Sequence, residues 1–201
     1  ELSVRHAALM PSSFDPRSNL GKEYRYALSI GAGARDPLQR LYEWQVPARR
    51  GAPAWDAEAA AAAARALEGT HSFGALANTP RGSERKKVVD PVCTLSSVRL
   101  HRTGRTRLSV RLTGSRFLYK MARNSVGAIV RVGSGELSLE ELQHALREGA
   151  FERSRSVPLT APAHGLVLHR VDFPPEEGPF AGAAAEVDLE EQEEECQDEV
   201  W

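Results

Sequence analysis

The sequence predicts an α+β fold: a largely antiparallel sheet flanked by helices. Three observations predict it. Residues 22–30, KEYRYALSI, alternate strictly, with Tyr24, Tyr26, Leu28 and Ile30 on one face and Glu23, Arg25 and Ser29 on the other; that is a half-buried strand. Residues 90–102 and 106–114 are two more strand-like runs, separated only by TGR, a hairpin connection. Helical patterns at 55–70, 116–135 and 138–149 interrupt and follow these strands.

Each element has a local cause. Residues 1–19 read as a short extended piece and then a Pro/Ser/Asn-rich loop. After the 22–30 strand, GAGARDPLQ is a turn region and 41–46, LYEWQV, is a second strand. Residues 55–70, WDAEAAAAAARALEGT, form a helix: alanine is the best helix former, Asp56 is placed to cap it and Gly69 to end it. Residues 71–87 are rich in Gly, Ser, Pro and basic side chains and read as a loop. The hairpin follows, and then the helix at 116–135. Ser138 with Glu141 three positions later is a capping box for the amphipathic 138–149 helix. PLTAPAHG is a loop, and LVLHRVDF, 166–173, a closing strand.

The chain has 201 residues and a formal charge of −1, which hides an asymmetry. All 26 Lys and Arg lie before Pro175, while 11 of the 27 acidic residues lie from Pro175 onward. Residues 1–174 therefore carry a balance of 26 − 16 = +10. A basic body suits a polyanionic partner such as nucleic acid, and charge alone weighs this evenly against a merely soluble surface. Residues 175–201 read as a separate, disordered acidic tail, either inert or competing for the basic body. No run is long and apolar enough to span a membrane. The chain starts at Glu1, so a processed chain or a fragment is expected. Two distant cysteines argue against a disulfide framework and fit a cytoplasmic or organellar compartment better than secretion. The six histidines have no metal spacing with them, no glycine loop for phosphate is present, and neither metal nor cofactor is expected.

The 116–135 helix poses a question. At 3.6 residues per turn, Phe117, Leu118, Met121, Ala122, Val126, Ile129 and Val130 share a broad apolar face, while Lys120, Asn124 and Arg131 gather in a polar sector. Arg123 falls on the border, with Gly127 one turn later. A mid-helix glycine costs roughly 1 kcal/mol against alanine, which suggests a backbone or ligand in close approach. Arg123 either snorkels to water, the reading geometry alone favours, or enters a partly desolvated crevice where it needs an anionic partner.

Five stretches in order resemble one family, the tRNA pseudouridine synthase A type, which modifies the anticodon stem-loop. FDPR at 14–17 resembles its F-x-x-R element, and KEYRY at 22–26 its K-x-Y-x-Y strand. GTHSF at 69–73 resembles G-T-H-D-F, FLYKMARN at 117–124 ending at Gly127 resembles F-L-x-x-M-V-R-N-x-x-G, and APAHGL at 161–166 resembles A-P-A-x-G-L. The resemblance covers about residues 2–174, as the C-terminal portion of a catalytic domain. It implies a cofactor-free reaction. An aspartate attacks a flipped-out uridine, the base is detached, and it is rejoined to the ribose through carbon. By family position Tyr24 holds the base, Arg123 orients the aspartate, and Leu166 completes the cleft. It also implies tRNA as partner and a homodimer. The side chains expected to meet RNA are Arg17, Lys22, Arg25, Arg81, Arg85, Lys86, Lys87, Lys120 and Asn124.

The family's aspartate lies in G-R-T-D-x-G, upstream of F-x-x-R. Residues 104–106 spell GRT, but Arg107 follows, in the hairpin. The sequence is thus expected to be inactive alone. Ser72 stands where the family has aspartate, Leu76 replaces an aromatic, and Cys93 stands where arginine is frequent. These departures leave a second reading, an RNA-binding scaffold that kept the fold and lost the chemistry.

Overall fold

The computed structural model describes residues 3–4, 7, 9–31, 36–47, 51, 53–79, 89–151 and 159–174. Six strands form one mixed sheet: β1 (Gly21–Ile30), β2 (Trp44–Val46), β3 (Gly69–Ser72), β4 (Val92–Arg102), β5 (Arg107–Gly114) and β6 (Leu166–Asp172). Their order is β2-β1-β5-β4-β3, and β6 also pairs with β1. β5 runs along one edge of β1 from Lys22 to Ser29; β6 and β2 divide the other edge, β6 from Gly21 to Tyr26 and β2 from Leu28 to Ile30. β2 is parallel to β1 and the other pairings are antiparallel.

Three helices, α1 (Ala57–Leu67), α2 (Met121–Gly133) and α3 (Leu139–Glu148), flank the sheet. Asp56 accepts a hydrogen bond from the Ala59 amide, capping α1 as expected, and the Ser138–Glu141 capping box closes at the start of α3. α1 presents Ala60, Ala61, Ala63, Ala64 and Leu67 to the core, and such small side chains let it lie close to β4 and α2. The alternation read from β1 holds: Tyr26 and Leu28 are fully buried, and they join Val110 and Leu112 of β5 and Val98 and Leu100 of β4 in one core with the helices. Among the described residues no helix is long and apolar enough to cross a membrane.

Three local readings are corrected. Residues 69–72 form β3, and Phe73–Leu76 a 3-10 turn, where a helix end and a loop were expected. A four-residue edge strand carries no alternation to reveal it. α2 starts at Met121, not Arg116, because Lys120 adopts left-handed backbone (φ 62°) and breaks the helical run. The polar sector of α2 is not solvated: Asn124 and Ser125 are buried with the apolar side chains. Residues 159–161 and 76–78 cover it. Residues 80–88, 152–158 and the acidic 175–201 lie outside the described residues.

Candidate active site

The candidate site forms where β1, the first turn of α2 and residues 159–166 meet. The period of β1 turns Tyr24 and Tyr26 to the helix side of the sheet. In the sheet Tyr24 lies opposite Leu168 and Leu112, and Tyr26 opposite Leu166 and Val110. The Tyr24 ring packs edge-on against Phe117, with centroids 4.8 Å apart and planes at 74°. Tyr24 keeps partial exposure, and burial raises its phenol above the ordinary value. Tyr26 is fully buried; its hydroxyl donates to the Pro162 carbonyl at 2.7 Å. Burial pushes the Tyr26 phenol far above its usual range, against a smaller opposite pull from the positive charge of Arg123.

Arg123 is half-buried in the first turn of α2. Its Nε donates to the Ala161 carbonyl at 2.7 Å, and the Ala161 amide donates back to the Arg123 carbonyl at 3.3 Å. Among the described residues, no carboxylate pairs with this guanidinium. At the border position Arg123 is thus half-buried and fixed by a backbone carbonyl. Gly127 explains how residues 159–161 come so near: a Cβ there would sit 1.5 Å from the Leu159 carbonyl oxygen. Gly165 plays a like part, since a Cβ on it would lie 2.8 Å from the Tyr26 ring. Leu166 follows, half-buried against the core.

Leu166 pairs with Tyr26 across β6 and β1, Tyr24 lies two residues from Tyr26 on the same strand, and Arg123 is held by Ala161, five residues before Leu166. Tyr26 and the carbonyls of Ala161 and Pro162 are parts that sequence reasoning missed. The APAHGL match located the segment but carried no sign of which backbone groups hold the arginine.

The expected RNA-contact residues are scattered. Arg17 is exposed and grips Asp15 with two bonds of 3.1 Å, which holds the Asp15 carboxyl below its usual range. Lys22 is half-buried on β1. Arg25 lies on the opposite sheet face from Tyr24, paired with Glu23 at 2.8 Å. The Lys120 ammonium sits 5.6 Å from the Tyr119 ring centroid. Asn124 is a correction: it is 4% exposed, and its amide is committed inward. Its Nδ2 donates to the Leu76 carbonyl (2.9 Å) and to Asn78 Oδ1 (2.7 Å), while its Oδ1 accepts from Thr160 Oγ1 (2.7 Å). It holds two loops to α2 and presents nothing to RNA. Arg81, Arg85, Lys86 and Lys87 lie outside the described residues. Among the described residues no cluster of His, Cys, Asp and Glu has the form of a metal site.

A family model described as tRNA pseudouridine synthase matches residues 63–174, more than half of the chain. The chain is 32% identical over 173 residues to tRNA pseudouridine synthase A of Thermotoga neapolitana, covering 86% of this chain and 65% of that protein. It is 37% identical over 174 residues to the protein of that name from Solidesulfovibrio magneticus, covering 86% and 60%. With the one from Anoxybacillus flavithermus it shares 35% identity over 175 residues, covering 86% and 64%. The chain thus spans between three fifths and two thirds of the length of these relatives.

Proposed function

The chain belongs to the tRNA pseudouridine synthase family, and we propose that it supplies the base-holding and aspartate-orienting part of an active site that isomerises uridine to pseudouridine in the tRNA anticodon stem-loop. One observation carries this reading. Arg123 is half-buried on α2, is fixed by the Ala161 carbonyl next to the Pro162 carbonyl that holds Tyr26, and has no carboxylate partner among the described residues. A fixed, partly desolvated guanidinium calls for an anion, and it binds a carboxylate in bidentate geometry.

In this mechanism the carboxylate is the nucleophilic aspartate, which is not among residues 1–201. Arg123 keeps it ionised and aimed. Tyr24, set edge-on to Phe117 and partly exposed, stacks the extruded uracil. Leu166 forms the apolar wall. Once the aspartate has displaced the uracil anion from C1′ as a glycosyl ester, the same walls hold the base while it turns; its C5 then attacks C1′, the ester bond breaks to free the aspartate, and the C5 proton is lost as N1 takes one up. No cofactor enters. The full protein acts as a homodimer on tRNA, and residues 1–201 alone bind RNA without turnover.

The test compares this chain with the longer natural polypeptide read from its transcript. Both should bind tRNA with affinity that falls steeply with salt. Pseudouridine in the anticodon arm should form only with a polypeptide that contains an intact G-R-T-D-x-G. Absence of that element upstream, or its presence without pseudouridine, would reverse the reading in favour of an RNA-binding scaffold.

A further inference from the structure

Of the four tyrosines, two are exposed: Tyr42, in the turn before β2, and Tyr119, in the connection from β5 to α2. Tyr119 adjoins the candidate site. Phe117, whose ring meets Tyr24 at 4.8 Å, precedes it by two residues, so the Cα atoms of 117 and 119 lie within about 7 Å. Phe117 and Leu118 pack on the core, yet Tyr119 keeps 45% of its exposure. Its backbone is pinned. The Tyr119 carbonyl accepts from the Asn78 amide at 3.0 Å, and Asn78 is tied in turn to Asn124 at 2.7 Å. The ring is therefore held outward from a fixed main chain, which limits the entropy that a partner must freeze.

The next residue carries strain. Among the described residues Lys120 is the only non-glycine with left-handed backbone. An Asn or Gly would hold that turn at lower cost, and strain of this kind persists where a site uses it. Here it ends the run before α2 and sets the Lys120 ammonium 5.6 Å from the Tyr119 ring centroid. Residues 112–135 contain four Lys or Arg and no Asp or Glu, so no carboxylate of this segment repels an incoming phosphate. An exposed, anchored aromatic ring with a cation at its side is the pairing that single-stranded RNA requires: a flat surface for one base and a positive charge for the backbone beside it. We propose that Tyr119 is a second stacking surface, taking a base that flanks the uridine held by Tyr24, and that Lys120 meets the adjoining phosphate. This assignment rests on the reading of a tRNA substrate. It adds to that reading a contact outside the reacting base, one that secures the strand while the uridine is extruded.

The test uses the full chain and an anticodon stem-loop RNA that carries 5-iodouridine at one loop position at a time. Ultraviolet light joins that base to an aromatic side chain stacked on it, and mass spectrometry locates the join. A position beside the one that joins to Tyr24 should join to Tyr119. Binding of the same RNA is then titrated. Tyr119→Leu keeps apolar bulk and loses the flat ring, so affinity should fall by at least about fivefold with the salt slope unchanged. Tyr119→Phe should bind within about twofold of the native chain, because stacking needs the ring and not the hydroxyl. Lys120→Gln should lower the salt slope by about one. Tyr119 is exposed, so thermal midpoints of its variants should match that of the native chain and separate lost binding from lost folding. The proposal alone is overturned if joins to Tyr24 form while none reaches Tyr119, or if Tyr119→Leu binds as tightly as the native chain. A chain that binds no RNA at low salt, or binds it with neither tyrosine joined, overturns the tRNA reading as well.

Discussion

Gly127 and Leu159 touch through bare backbone: a Cβ on the glycine would lie 1.5 Å from the Leu159 carbonyl oxygen. This contact brings residues 159–161 onto α2, where Ala161 holds Arg123 from both sides. The glycine that weakens the helix is the one that lets the crevice form.

Gly127→Ala therefore sets two effects against each other. Helix propensity favours alanine by about 1 kcal/mol. The clash is with backbone, which cannot swing aside, and overpacking costs typically 1–3 kcal/mol or more. We expect a net loss of about 2 kcal/mol in denaturant unfolding. A stabilised variant would show that residues 159–161 do not press on α2.

Asn124→Ala should cost about 2 kcal/mol, because it strands the buried Leu76 carbonyl, while Asn78 and Thr160 are exposed and lose only their tie to α2. A residue that served RNA contact would behave oppositely, with unchanged unfolding and weaker binding. Urea unfolding and RNA affinity, measured on the same variant, separate the two.

Lys120 holds left-handed backbone at φ 62°, which costs a side-chain-bearing residue about 1 kcal/mol. Lys120→Gly should leave unfolding stability equal or up to about 1 kcal/mol higher, while removing one cation from beside Tyr119. Lys120→Val should lose stability, since a β-branched residue resists this conformation. Thermal unfolding of the pair checks the expectation, and a more stable valine variant would refute it.

These three positions also show how far the sequence could be read. The alternation of β1, the capped ends of α1 and α3 and the β4–β5 hairpin are local patterns with local causes, and all are present in the fold. The position of Arg123 at the edge of an apolar face and the oddity of Gly127 were legible too, because a helical wheel needs only the sequence. Asn124 was misplaced because its wheel sector is polar only in composition; loops distant in sequence cover it. The early break at Lys120 left no trace, since lysine is rarely left-handed. β3 is too short to alternate. The parallel pairing of β2 with β1 depends on a connection whose course no periodicity encodes. What was hidden was tertiary: which backbone carbonyls reach the arginine.

Tyr24 and Tyr26 both have raised phenol values, caused first by burial. A proton bound more tightly in the folded state gives stability that is complete below the unfolded value, near 10, and lost as pH rises above it. Stability should therefore fall on going from pH 9 to pH 11, and less steeply in Tyr26→Phe. That variant should also lose about 1 kcal/mol at neutral pH, with the hydrogen bond to Pro162. An identical alkaline slope in both proteins would refute the assignment to Tyr26.

Arg123 is proposed to orient the nucleophilic aspartate. The most direct measurement is release of tritium from tRNA labelled at uridine C5, using a polypeptide in which this chain follows an intact G-R-T-D-x-G element, with Arg123 or with Arg123→Lys. Lysine keeps the charge and loses the bidentate fork. Turnover should fall by at least about a hundredfold, roughly 2.7 kcal/mol of transition-state stabilisation, while tRNA affinity stays within a few-fold. Near-normal turnover in the lysine variant would contradict it.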